Sequence, residues 1–175
     1  FGLAQLSPST YAGRAGAPSI RGGWLFSVDR WAGHEQAVLV VRDLHGDRLP
    51  GARTLLDPHE LTGDATAALD WYEPSVDGRL VAFGTSLGGD ERSTLGVVDV
   101  ATGEVLADRI PRTRACSVTW APDGRAFAYT RYPDPAAVGE EEADYNRTVW
   151  WHVLGDDPGD GGALVCANHT SYLDP

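Results

Sequence analysis

The sequence predicts an all-β fold: an incomplete β-propeller of about three four-stranded antiparallel blades. Three observations predict it. Glycine and proline are abundant, at 21 and 11 of 175 residues, against roughly 7% and 5% in an average chain. One segment repeats: PSVDGRLVAF at 74–83 is echoed by APDGRAFAYT at 121–130, with the Asp-Gly pairs 46 residues apart. Helical spacing is nearly absent, and the best helix candidate, PHELTGDATAAL at 58–69, is weakened by its internal glycine and threonines. Four-stranded units recurring every ~40–50 residues are the mark of propeller blades. A β-sandwich is the plainer alternative, but it has no reason to repeat one turn at a fixed spacing.

Each unit reads in the same order. Asp77-Gly78 and Asp123-Gly124 lead into alternating apolar residues, the pattern of a tight hairpin feeding a half-buried strand. IRGGWLFSVD at 20–29 is a looser first copy. A second strand closed by a glycine turn comes next each time: AVLVVRDLHG (37–46), TLGVVDVATG (94–103) and TVWWHVLG (148–155). A short further strand ends each unit: ARTLLD (52–57), EVLAD (104–108) and ALVCA (163–167). This divides the chain into a leading segment at 1–19 and blades at approximately 20–66, 67–112 and 113–170.

Three blades do not close a ring, because propellers close with ~4–8. The expectation is a portion of a longer polypeptide, or a chain that buries its open flank against another. The formal charge is −11, with 25 acidic residues against 14 basic ones, every one of the latter an arginine. That balance, without a basic stripe, argues against a nucleic-acid partner. No apolar run approaches the ~18 residues of a membrane span, and FGLAQLSPST lacks the pattern of a secretory signal. The lysine-free composition leads us to expect a bacterial cytosolic chain. Cys116 and Cys166 are too few for a disulfide framework, although one bridge between them stays open.

Several stretches resemble, in order and spacing, the propeller domain of the prolyl oligopeptidase family of serine peptidases. These are RGGWLFSVDRWAGHEQAVLVVRD (21–43), the Leu-Asp-Pro connection LLDPHELTGDATAAL (55–69), PSVDGRLVAFGTSLGGDERSTLGVVDVATGEVLAD (74–108), VTWAPDGRAFAYTRYP (118–133) and TVWWHVLG (148–155). The resemblance covers roughly residues 20–167. It implies a seven-bladed propeller that gates an α/β-hydrolase domain of the same polypeptide, which carries a Ser, Asp, His triad. The gate admits short peptides, cleaved after proline, and excludes folded proteins. The implied partners are therefore that hydrolase domain and short peptides, with no nucleic acid, membrane or cofactor. The hydrolase core is absent from these 175 residues, so this chain is expected not to catalyse alone.

Candidate chemistry is sparse. Gly84-Thr85-Ser86-Leu87-Gly88 matches G-x-S-x-G, but the nucleophile elbow needs a helix after its turn. Here the chain continues with GDERSTLGVVDV, a polar turn and a strand, so Ser86 is read as a decoy. The five histidines (34, 45, 59, 152, 169) lack metal-ligand spacing, and Asp156, Asp157 and Asp160 lack that of an EF-hand, so no metal site is expected. His152 reads as a hydrogen-bonded structural residue, and the sequons at Asn146 and Asn168 carry little without a secretory signal. In the family, the stretch entering the tryptophan strand faces the central cavity and offers an aromatic. The aligned position here is Ala115, a departure. Arg112 and Arg114 remain candidates to guide a peptide carboxylate, and Cys116 to be a cavity thiol, each against a structural reading. The rival readings are a stand-alone propeller-like interaction module and the propeller of an oligopeptidase B-like peptidase.

Overall fold

In the computed structural model, residues 11–14, 18–31, 36–44, 51–158 and 163–164 are described. They form three antiparallel sheets. The first holds β1 (Tyr11–Arg14), β2 (Ser19–Arg21), β3 (Trp24–Trp31), β4 (Val38–Asp43) and β5 (Arg53–Leu56). The short helix α1 (Pro58–Thr62) leads to the second sheet, β6 (Ala68–Pro74), β7 (Leu80–Ser86), β8 (Thr94–Asp99) and β9 (Val105–Ile110). The third sheet contains β10 (Val118–Trp120), β11 (Ala126–Arg131), β12 (Thr148–Val153) and β13 (Ala163–Leu164), with the helical turn α2 (Pro135–Val138) between β11 and β12. Neighbouring strands pair in chain order in the second and third sheets. In the first sheet, β2 pairs with Trp24–Phe26 and β1 with Asp29–Trp31, so one edge of β3 is shared by two short strands. The second and third sheets have the four-stranded blade pattern read from the repeat, and the first adds a fifth strand to it.

The turns differ from the sequence reading. Of the three repeat turns, only Gly22-Gly23 makes a tight two-residue hairpin, with both residues at positive φ, as a type I′ turn requires. The Asp-Gly copies close four-residue loops: Ser75 N donates to Leu80 O at 2.8 Å, and Ala121 N to Ala126 O at 2.8 Å. Asp77 and Asp123 keep negative φ and only Gly78 and Gly124 turn left-handed. Each aspartate instead accepts from a backbone N–H two residues on, Arg79 at 3.1 Å and Arg125 at 3.0 Å. Such side-chain-to-backbone bonds stabilise the longer loop. The helix is also shorter than its candidate span. Asp57 caps it through His59 N at 2.9 Å, and Gly63, at φ 72, ends it.

The sheets pack face to face through two apolar cores. Period-2 alternation sends Val81, Phe83 and Val98 towards Phe26, Leu39, Val41 and Leu56 of the first sheet. The other face sends Ala82, Leu95 and Val97 towards Trp120, Phe127 and Tyr129 of the third. The middle sheet is therefore buried on both faces, which explains why β7 and β8 read as near-continuous apolar runs. Glycines admit its large rings: a Cβ on Gly96 would meet Phe83 Cζ at 2.6 Å, and one on Gly84 would fall inside the Trp71 indole.

Adjacent blades also touch at their turns. A Cβ on Gly78 would collide with the Arg21 carbonyl, whereas Gly103, at a similar φ of 75°, has open space around it. Gly103→Ala should therefore cost only the left-handed penalty, about 1–2 kcal/mol. Gly78→Ala should cost about 1–3 kcal/mol more, because the clash is with backbone that must shift. Urea unfolding of the two variants of the full chain checks this; equal losses would show that the turns do not lock the blades together.

Candidate functional site

Strands β7, β9 and β11 all end on the same side of the sheets, opposite the Asp-Gly turns. There the crossover 111–117 carries the chain from β9 to β10. Proline at 111 cannot continue the ladder, and the backbone then turns left-handed at Arg112 (φ 66) and Ala115 (φ 45). Between them, buried Thr113 fastens the crossover to the second sheet. Its N–H and Oγ1 both donate to Ser93 O, at 3.0 and 2.9 Å, and its carbonyl accepts from Trp71 Nε1 at 3.2 Å.

The crossover presents the sequence candidates in different settings. Arg112 Nη1 pairs with the Asp134 carboxylate, and Tyr132 N donates to Arg112 O at 3.0 Å. The Ala136 N–H and the Arg112 guanidinium hold the Asp134 carboxyl below the ordinary carboxylate value. Arg114 pairs with Glu91 at 3.1 Å, but both side chains are well exposed, so this bridge contributes little to stability. The Cys116 Sγ lies 3.1 Å from Thr130 O, and burial pushes its thiol pKa up, the setting of an unreactive thiol. Ala115 bears no aromatic, but its carbonyl accepts from Arg147 at 2.7 Å, and the Arg147 guanidinium stacks over Tyr132 at 5.8 Å. The structure thus brings Arg112 and Arg114 to one rim and turns Cys116 into a backbone contact.

Two cavities flank Arg114. One, of about 360 Å³, is lined by Asp70, Trp71, Glu91, Ser93, Arg114 and Ala115. The other, of about 190 Å³, has Arg92, Arg112, Arg114 and Tyr132 in its wall. A third, of about 480 Å³, lies at the opposite ends of the strands, where Asp77, Arg79, Asp123 and Arg125 face one another. Sequence reasoning misses Arg92, Tyr132, Asp70 and Trp71. Asp70 and Trp71 are neighbours in β6, but Arg92 comes from the 87–93 loop and Tyr132 from just after β11, and no local pattern joins the three places.

Ser86 lies in β7, which pairs antiparallel with β8 through Gly84↔Leu95 and Thr85↔Thr94. The loop 87–93 returns the chain directly to β8, with no helix between. The serine is 4% exposed, and its hydroxyl donates to Asp70 Oδ1 at 2.9 Å. The other Asp70 oxygen accepts from Ser93. His152 is buried against Asp108, Nε2 to Oδ1, at 2.6 Å. His59 sits exposed in α1, while His34, His45, His169, Cys166, Asp160 and the Asn168 sequon lie outside the described residues. Among the described residues, no group of three His, Cys, Asp or Glu is placed to hold a metal ion, and no helix is long and apolar enough to cross a membrane. The rim can pair with carboxylates; the serine on it is held by a carboxylate within a hairpin.

Comparison with known proteins places these observations. A family model described as prolyl oligopeptidase, N-terminal beta-propeller domain, matches residues 4–169. Prolyl oligopeptidase A of Galerina marginata is 33% identical over 122 residues, covering 60% of this chain and 16% of that protein. A solved prolyl endopeptidase structure matches with a TM-score of 0.77 and 28% identity, over 89% of this chain and 23% of that one. Prolyl oligopeptidase B of Galerina marginata, solved with a 35mer hydrolysis and macrocyclization substrate, shares the fold at a TM-score of 0.69 and 21% identity, over 92% of this chain and 25% of that one. The chain therefore spans about a sixth of the curated relative it matches.

Proposed function

Because the chain belongs to the N-terminal β-propeller of the prolyl oligopeptidase family, we propose that its blades gate a serine peptidase active site. In this reading the blades span approximately 20–66, 67–112 and 113–170, and the leading segment at 1–19 adds β1 (Tyr11–Arg14) to the sheet of the first. They stand beside an α/β-hydrolase domain of the same polypeptide. That domain supplies the serine nucleophile, histidine base and aspartate for acyl transfer, and cleaves short peptides after proline. The blades supply steric selection, which needs no titrating residue. The bacterial cytosolic setting stays part of the proposal and rests on composition alone.

The observation that carries this reading is the doubly buried middle sheet. Apolar cores on both its faces pack the three sheets into one continuous wall, suited to excluding bulky substrates. The test uses the intact polypeptide carrying these blades, given proline-containing fluorogenic peptides of increasing length and a folded protein with surface prolines. The short peptides should be cleaved after proline and the folded protein spared. Equal turnover of both would contradict a gate.

A further inference from the structure

The cavity of about 190 Å³ beside the crossover combines two features that the gating role does not use. One is a cluster of guanidinium groups. Arg92, Arg112 and Arg114 line it, in a chain whose formal charge is −11. Arg112 and Arg114 hold carboxylate partners, Asp134 and Glu91, but the Arg92 guanidinium has no acceptor among the described residues; only its backbone N–H is bonded, to Asp90 at 2.9 Å. Arg112 keeps its Nε buried and unbonded behind the Nη1 that meets Asp134. The other feature is a wall of flat apolar rings, from Tyr132, Pro133 and Pro135. Arg147 holds Tyr132 from its side, stacked at 5.8 Å, and adds a fourth guanidinium nearby. One acidic side chain, Asp144, also lines the cavity.

From this geometry we propose that the Arg92–Arg112–Tyr132 cavity binds the carboxylate end of a short peptide whose last residue is apolar. A planar guanidinium bonds a carboxylate through two parallel N–H groups, and Arg92 is the guanidinium free to do so. An apolar terminal side chain packs against the tyrosine and proline rings of the wall. The volume is below the ~300–1,000 Å³ of ordinary ligand pockets, so it holds one terminal residue and leaves the rest of the peptide outside. The shared chemistry, a carboxylate beside an apolar group, is also offered by an internal glutamate next to proline, and the experiment separates the two. The inference deepens the gating proposal by naming a peptide end that the gate retains, yet it requires no hydrolysis.

The test is calorimetric titration of the full chain with three probes: acetyl-Ala-Gly-Pro as the free acid, the same peptide as the C-terminal amide, and an amidated peptide containing an internal Glu-Pro. The free acid should bind at least about tenfold more tightly than the amide, the difference one charge-assisted pair makes. Arg92→Gln should weaken the acid by a similar factor and leave the urea midpoint unchanged, since the Arg92 guanidinium holds no partner among the described residues. Tyr132→Ala should weaken acid and amide alike. Binding of the Glu-Pro amide as tight as the free acid would replace the terminal carboxylate by a side-chain one and overturn the proposal as stated. So would equal affinity for acid and amide, an unaffected Arg92→Gln variant, or no binding of the acid. None of these results would bear on size selection, which is read from peptide length.

Discussion

Replacing Asp108 by alanine is expected to destabilise the chain by about 3–5 kcal/mol, the cost of breaking a buried pair from one side. Asp108 is 6% exposed and His152 1%. The carboxylate belongs to β9 of the second sheet, while its partners are His152 Nε2 at 2.6 Å, in β12 of the third, and Gly155 N at 2.8 Å, in the turn after β12. Alanine leaves two polar groups in the core without their acceptor. Asparagine should recover a large part of the loss, because its amide oxygen can still accept from both donors. The exposed Arg114–Glu91 bridge supplies the contrast: Glu91→Ala should cost no more than about 1 kcal/mol. Urea unfolding of the three variants checks the order. An Asp108→Ala loss as small as that of Glu91→Ala would mean that this pair does not hold the sheets together.

Trp120→Ala should be comparably costly, about 3–5 kcal/mol for a large buried aromatic. The indole is 6% exposed, meets Phe127 edge-on at 5.0 Å, and reaches across to the second sheet, where Nε1 donates to Glu73 O at 3.0 Å. Its loss opens a cavity between sheets and removes a bond that spans them. The effect should therefore be local to that seam. Amide hydrogen exchange should accelerate more in residues 118–153 than in residues 24–43, whose core is built around Phe26 and Leu39. Trp120→Phe keeps much of the packing and should cost clearly less. Uniform acceleration across all three sheets would show that the blades do not unfold as separate sectors.

The features legible in the sequence are the local ones. The Asp-Gly repeat and the period-2 alternation are written within ten residues, and they place β7 and β11 and assign opposite faces to Val81 and Ala82. The absence of helical spacing after Gly88 likewise reveals the hairpin behind the G-x-S-x-G match. Turn geometry is less legible. Asp-Gly permits both a two-residue type I′ hairpin and a four-residue loop, and the choice falls to the bonds that Asp77 and Asp123 make to the backbone. Contacts between blades leave no local trace. Trp71 meets the Thr113 carbonyl across 42 residues, and Asp108 meets His152 across 44. For the same reason Arg112 and Arg114 stand out beside each other in the chain, whereas Arg92 and Tyr132, which share their cavity, do not.

We propose that these blades do not hydrolyse peptides by themselves. Ser86 looks like a nucleophile in sequence, but in the fold it is a strand residue bonded to Asp70. The direct measurement is treatment of the purified chain with a fluorophosphonate probe, beside a proline-containing fluorogenic peptide. No labelling and no hydrolysis are expected, with Ser86→Ala indistinguishable from the unaltered chain. Covalent labelling that vanishes in Ser86→Ala would contradict the claim.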